Sequence, residues 1–151
     1  MSIVIRDVAR DDFDRWLPLW NGYNAFYDRA GPTALPGDVT MATWARFLDP
    51  MEPVHALVAE RDNRLIGLAH YVFHRSTTML GQTCYLQDLF TDTAARRQGV
   101  GRLLIDAARE RARASGAARL YWHTQAKNAA ARRLYDDMAG ASDFVVYRMD
   151  A

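Results

Sequence analysis

Residues Leu65 to Phe73 read Leu-Ile-Gly-Leu-Ala-His-Tyr-Val-Phe, a run that is apolar on both faces of a strand. Successive strand side chains point to opposite sides. Such a run needs apolar cover above and below, as a central strand in a sheet with helices on both faces has. The segments around it can supply that cover. Ile3–Val8 and Val54–Glu60 read as strands, with a polar turn at Arg61–Arg64. A further strand, Thr83–Thr91, follows a turn near Met79–Gln82. Phe13, Trp16, Leu17, Trp20, Tyr23 and Tyr27 recur at helical spacing. Asp11 and Asp12 offer N-cap chemistry for that helix, and Pro18 predicts a kink or restart within it. A second helix is expected from about Val39 to Leu48, stopped before Pro50. Towards the C-terminus, Ala118–Thr124 reads as a strand, Asn128 to about Met138 as a helix, and Asp143–Met149 as a last strand. The expected order is β-α-α-β-β-β-α-β-α-β, an α/β sheet with packed helices.

No repeat, low-complexity block or long linker divides residues 1–151, so a single domain is expected. The formal net charge of +1 argues against a general nucleic-acid binder. One cysteine, Cys84, forms no internal disulfide and suits a reducing compartment. The N-terminus is charged by Arg6, unlike a signal peptide. No run of 18 apolar residues occurs anywhere, so no membrane span is expected. A cytoplasmic protein without a membrane partner is the plain reading.

The stretch Ala95–Gly116 places Arg96, Arg97, Gly99 and Gly101 before an amphipathic helix. Its apolar stripe is Val100, Leu103, Leu104, Ala107 and Ala108, and Gly116 lies where a C-terminal cap belongs. The first amides of such a helix lack intrahelical partners and carry partial positive charge. Glycines there let a phosphate approach the backbone, and Arg96, Arg97 and Arg102 add charge. The P-loop pattern is absent, and Leu104 stands where the dinucleotide fingerprint needs a third glycine. On glycine spacing alone, a tight turn before a helix remains an equal reading. Further on, Asn128 and Tyr135 are nearly two helical turns apart, on one face and roughly 10 Å from each other. Small Ala131 lies between them. A long thin ligand suits that face, although an N-cap and a core tyrosine explain the two residues singly.

Together these residues resemble the GNAT superfamily of acetyl-CoA-dependent N-acetyltransferases. Its signature, Gln/Arg-x-x-Gly-x-Gly/Ala, is satisfied by Arg96, Arg97, Gln98, Gly99, Val100 and Gly101. The strand before, the helix after and the later Asn–Tyr helix agree in order, over essentially the whole chain. Tyr85–Phe90, with Trp122, Asn128, Leu134 and Tyr135, resembles the branch of polyamine and small histone/polyamine-type acetyltransferases. The resemblance implies a mixed, mainly antiparallel twisted sheet with helices on both faces. It implies acetyl-CoA as co-substrate, its pyrophosphate on the amides of Arg97–Arg102. The pantetheine arm would pair with Leu89, Phe90 and Thr91, and Asn128 would contact that arm. Tyr135 matches the tyrosine that protonates the departing thiolate. Many relatives carry a glutamate base where this chain has Gln87, which cannot take a proton. Asp88 is adjacent, and reaches the substrate side only if the strand bulges. Relatives of this branch often form homodimers.

Other residues invite functional readings. His70 and His74 lie in a strand without an intervening glutamate, so no metal site is expected. Cys84 reads as a buried structural thiol. Arg109, Arg111, Arg113 and Arg119 are interspersed with Asp106 and Glu110, as on a solvated face. The stripe Trp16, Trp20, Tyr23, Phe26 and Tyr27 reads mostly as core, while Tyr23, Tyr27 and Asp28 suit an amine pocket. The expected activity is acetyl transfer to a primary amine, either a small molecule or a lysine side chain. The other reading is a CoA-binding or regulatory module with weak chemistry, at which Gln87 hints.

Overall fold

The computed structural model describes residues 2–151. Five strands form one sheet in the order β1-β2-β3-β4-β5: β1 (Val4–Asp7), β2 (Val54–Arg61), β3 (Arg64–His74), β4 (Thr83–Thr91) and β5 (Arg119–Tyr121). The pairs β1–β2, β2–β3 and β3–β4 are antiparallel, and β4–β5 is parallel. The β2–β3 turn is tight because Asp62 (φ 53°) and Asn63 (φ 64°) are both left-handed, the conformation such hairpins require. β3 is the central strand and is buried almost throughout.

Helices α1 (Phe13–Phe26) and α2 (Gly37–Phe47) cover one face of the sheet. Trp16, Trp20, Tyr23 and Trp44 pack there on Val58, Leu65 and Leu68. Helix α3 (Val100–Ala114) covers the other face, seating Val100, Leu104 and Ala108 on Leu57, Ala69 and Leu86. The glycine in β3 permits this close approach: a Cβ at Gly67 would stand 2.8 Å from Val100 Cγ1. Helix α4 (Ala129–Met138) lays Leu134, Tyr135 and Met138 against the same side.

Three expectations are corrected. Helix α1 runs through Pro18 without a break. The bond lost is to the Asp14 carbonyl, and both residues lie on the exposed side, where water can serve that carbonyl. Asp12 adjoins α1 but does not cap it. Its buried carboxylate instead accepts from Arg6 Nη1 at 2.7 Å, Arg15 Nη2 at 2.6 Å and the Ala9 amide at 2.7 Å. The last strand is absent. Residues 143–149 form no strand and pair with none of the described strands, and Phe144, Tyr147 and Met149 are at least 90% exposed. A strand exists only against a sheet edge that takes its backbone groups, and this tail meets none among the described residues.

The Asp12 cluster carries an acid prediction. The Arg6 guanidinium, with the Ala9 amide and Arg15, holds the Asp12 carboxyl at about 2, from 3.8. A depressed carboxyl stabilises the fold above its unfolded value, and this stability disappears as pH falls from there through about 2. Asp12→Asn is expected to cost about 2 kcal/mol at pH 7. Denaturant titrations should show the gap from wild type shrinking at pH 2. An unchanged gap at both pH values would remove the linkage.

Candidate active site

Pairing between β4 and β5 ends early. Thr83, Cys84 and Tyr85 are in register with Arg119, Leu120 and Tyr121, and nothing pairs beyond them. From Leu86 to Thr91 the outer edge of β4 therefore faces a gap, with backbone groups open to an extended ligand. At the upper end of this edge lies the glycine loop. Arg97 (φ 66°) and Gly99 (φ 80°) are left-handed, and α3 starts at Val100. The Leu103 amide is the first to bond back along the helix, to the Gly99 carbonyl at 3.1 Å. The amides of Val100, Gly101 and Arg102 precede that bond and point out of the helix start. A Cβ at Gly99 would meet nothing within 4 Å, whereas one at Gly101 would come to 3.4 Å from Leu134 Cδ2. Gly99 thus serves the turn, while a Cβ at Gly101 would sit at contact distance from α4.

The loop side chains are more engaged than expected. Arg102 pairs with Asp137 on α4, and Gln98 bonds Arg61. Arg96 stands over the Phe90 ring at 5.9 Å and donates from Nε to the Thr91 carbonyl at 3.4 Å. Arg97 is exposed. An anion here would meet mainly backbone amides, with Arg97 at the rim.

Across the gap, Asn128 caps α4: its Oδ1 accepts from the Ala131 amide at 3.4 Å. The cap occupies that oxygen and leaves the side-chain amide nitrogen for another partner. Tyr135 lies two turns along, its ring edge-on to Trp122 at 5.5 Å. Burial pushes its phenol above the ordinary value, and the nearby Tyr27 phenol pushes in the same direction. Tyr135 therefore retains its proton throughout the neutral range.

Tyr27 leads to the α1 face, where β4 carries a bulge. His70 is opposite Asp88, and the next residue, Tyr71, is opposite Leu86, so Gln87 is the extra residue. In a regular strand Leu86 and Asp88 would share a face. Here Leu86 packs with α3, while Asp88 turns to the α1 side and meets His70. Gln87 is exposed. Asp88 is buried, with Oδ2 at 2.8 Å from His70 Nδ1. The other ring nitrogen, Nε2, accepts from Trp16 Nε1–H at 3.1 Å. Indole only donates, so the His70 proton sits on Nδ1 and is given to Asp88. Burial first, and the Asp88 charge second, raise the pKa of both Tyr23 and Tyr27. Both phenols therefore remain neutral donors facing this carboxylate.

The structure thus brings Asp88, Tyr23, Tyr27 and Tyr135 to one region, below the open edge of Leu89, Phe90 and Thr91. Asp28 is an exposed left-handed turn residue (φ 61°) just past α1. Phe26, expected mostly as core, is half exposed. Burial pushes the Cys84 thiol up to about 12, too high for a nucleophile at neutral pH. Among the described residues no cluster of His, Cys, Asp and Glu is arranged to hold a metal ion, and no helix is long and apolar enough to cross a membrane. Two residues that sequence reasoning missed stand beside this group, His70 against Asp88 and Arg29 by the rings of Tyr23 and Tyr27. Only the polar character of His70 within an apolar strand hinted at the first.

A mainly antiparallel α/β sheet, parted at β4–β5 beside a glycine-led helix start, defines the acetyltransferase class. The comparisons agree. The sequence matches the Acetyltransferase (GNAT) family over residues 16–140, and the chain belongs to that family of acyltransferase enzymes. It is 33% identical over 148 residues to HPA3, a D-amino-acid N-acetyltransferase of Saccharomyces cerevisiae, covering 97% of this chain and 89% of the relative. It is 32% identical over 145 residues to YhfO, an uncharacterised N-acetyltransferase of Bacillus subtilis, covering 95% and 94%. The solved structure of AAC(6')-Iy with a bisubstrate analogue has a similar fold, with a TM-score of 0.84 at 16% identity over 100% of this chain and 99% of that one.

Proposed function

We propose that this protein moves an acetyl group from acetyl-CoA to a primary amine by direct attack, with Tyr135 as general acid. The observation that carries the reading is the parted β4 edge, which runs from the α3 amides to the Tyr135–Asp88 region. The residues fit a CoA thioester. The amides from Arg97 to Arg102 would take the pyrophosphate, Leu89, Phe90 and Thr91 would pair with the pantetheine arm, and Asn128 would steady it. When bound, acetyl-CoA supplies an activated acyl group. A backbone amide of the open edge polarises its carbonyl. Tyr135 holds the proton that neutralises the departing sulfur. Asp88 receives the amine and takes its proton, a task closed to Gln87.

A thiol-release assay with acetyl-CoA and a panel of small primary amines and a lysine peptide tests this reading. CoA binding without turnover of any amine would favour the second reading, a CoA-binding or regulatory module, for which Gln87 speaks. The kinship of HPA3 favours small amines over protein lysines. The placement near the polyamine and histone-type branch rests on the Tyr85–Phe90 motif and concerns lineage, not acceptor. A cytoplasmic homodimer, acting on neither nucleic acid nor membrane, completes the proposal. The tail favours the dimer: Phe144, Val145, Val146, Tyr147 and Met149 are all exposed, as strand residues awaiting a partner edge would be. Light scattering on the full chain checks the assembly.

The loop itself is open to a direct test. Gly99→Val forces a β-branched residue into φ 80°, and Gly101→Leu places a branched side chain beside the first helical amides, already at contact distance from Leu134. Each is expected to weaken acetyl-CoA binding about tenfold or more, because the amides lose their close approach. Calorimetry on folded variants checks it, and unchanged binding would move the cofactor site elsewhere.

A further inference from the structure

Beside Tyr23 and Tyr27 stands an arginine that the chemistry above does not use. Arg29 follows the end of α1, and its Nε donates to Asn24 Oδ1 at 2.7 Å. Asn24 is buried and anchored in turn, its Nδ2 donating to the Trp20 carbonyl at 2.9 Å. The guanidinium carbon stands 5.8 Å from the centre of the Tyr23 ring and 5.5 Å from that of Tyr27. The Asn24 hydrogen bond and the two rings together hold the guanidinium in place. Among the described residues no carboxylate pairs with Arg29, and its terminal nitrogens have no protein acceptor. Asp88 and Arg29 act in opposite directions on the same two phenols, so both lie close to them.

An ammonium drawn in by Asp88 is repelled by a fixed guanidinium, unless the acceptor brings a negative charge of its own. A polyamine or a lysine side chain brings none. We propose that Arg29 is the carboxylate subsite of the acceptor, and that the acceptor is an α-amino acid bound as a zwitterion between Arg29 and Asp88. Guanidinium and carboxylate match as a bidentate pair, and here the guanidinium is held in advance. Tyr23 and Tyr27 lie within reach of both charges. The inference rests on the acetyl-transfer reading and adds to it the recognition of the acid group.

The test compares the D and L forms of leucine with those of leucinamide, at one pH, by thiol release. The amide is the weaker base and holds more free amine, which favours it. The wild type is nevertheless expected to prefer the acid in kcat/KM by about tenfold or more, the scale of a charge-assisted bond. Arg29→Gln should raise KM for the acid about tenfold, with kcat and the amide within about threefold. Arg29→Lys keeps the charge without the fork and should recover only part of the loss. Equal use of acid and amide by the wild type, or equal losses for both in Arg29→Gln, overturns the subsite and leaves acetyl transfer intact. If the variants do not fold, the wild-type comparison decides alone. Absence of thiol release with every amine removes both readings.

Discussion

Tyr135→Phe is expected to lower turnover about 10²-fold or more, the usual scale of a lost general acid, while acetyl-CoA binding survives. The substitution keeps the ring and its contact with Trp122, so stability should change little. A thiolate with a pKa of about 8.5 is a fair leaving group unaided, which limits the loss. The pH profile has a defined sign. Burial and Tyr27 raise the Tyr135 phenol, so its acid form persists through the neutral range and above the ordinary value of 10. Wild-type kcat should therefore show no fall from loss of this proton below about pH 10. Turnover and calorimetric binding measured in parallel decide the matter. An equal rate in the phenylalanine variant would reduce Tyr135 to a packing residue. Lost binding together with lost folding would make its hydroxyl structural.

Which parts of this site can be read from sequence depends on how local their causes are. The two-sided apolar run of β3 and most of the α3 stripe are set by neighbours a few residues away, although Leu103, expected in that stripe, is 40% exposed and Ile105 is buried instead. So is the Asn128 cap, whose partner is three residues on. Each was legible. The bulge at Gln87 was not, because strand phase is decided by pairing with β3, and nothing between Leu86 and Asp88 announces it. The loop arginines misled for a similar reason. Arg102 finds Asp137 from another helix, and only the packing of α3 on α4 brings the two together. Arg29 reads as one more surface charge until Asn24 and the two tyrosines fix it in place. The tail shows the converse. Asp143–Met149 has strand composition, but a strand needs an edge as well as a composition, and the edge lies outside the chain's own described contacts.

Asp88→Asn is the companion experiment to Tyr135→Phe, and it bears on the base that Gln87 cannot be. Asparagine matches aspartate in shape, and its oxygen can still accept from His70 Nδ1, so the Trp16–His70 chain and the bulge should persist. What disappears is a negative charge beside Tyr23 and Tyr27 and the ability to take a proton. The expected loss in kcat/KM is about 10²- to 10³-fold, within the range for a positioned general base. The deficit should narrow as pH rises toward the pKa of the acceptor amine, because free amine then arrives without a proton to remove. A merely structural aspartate would give a loss of equal size at every pH. Gln87→Ala is the control. Its side chain is exposed on the outer side of the bulge, and a change within about threefold is expected. If Gln87→Ala costs as much as Asp88→Asn, proton transfer runs along the exposed face through ordered water, and Asp88 is an anchor for His70 alone.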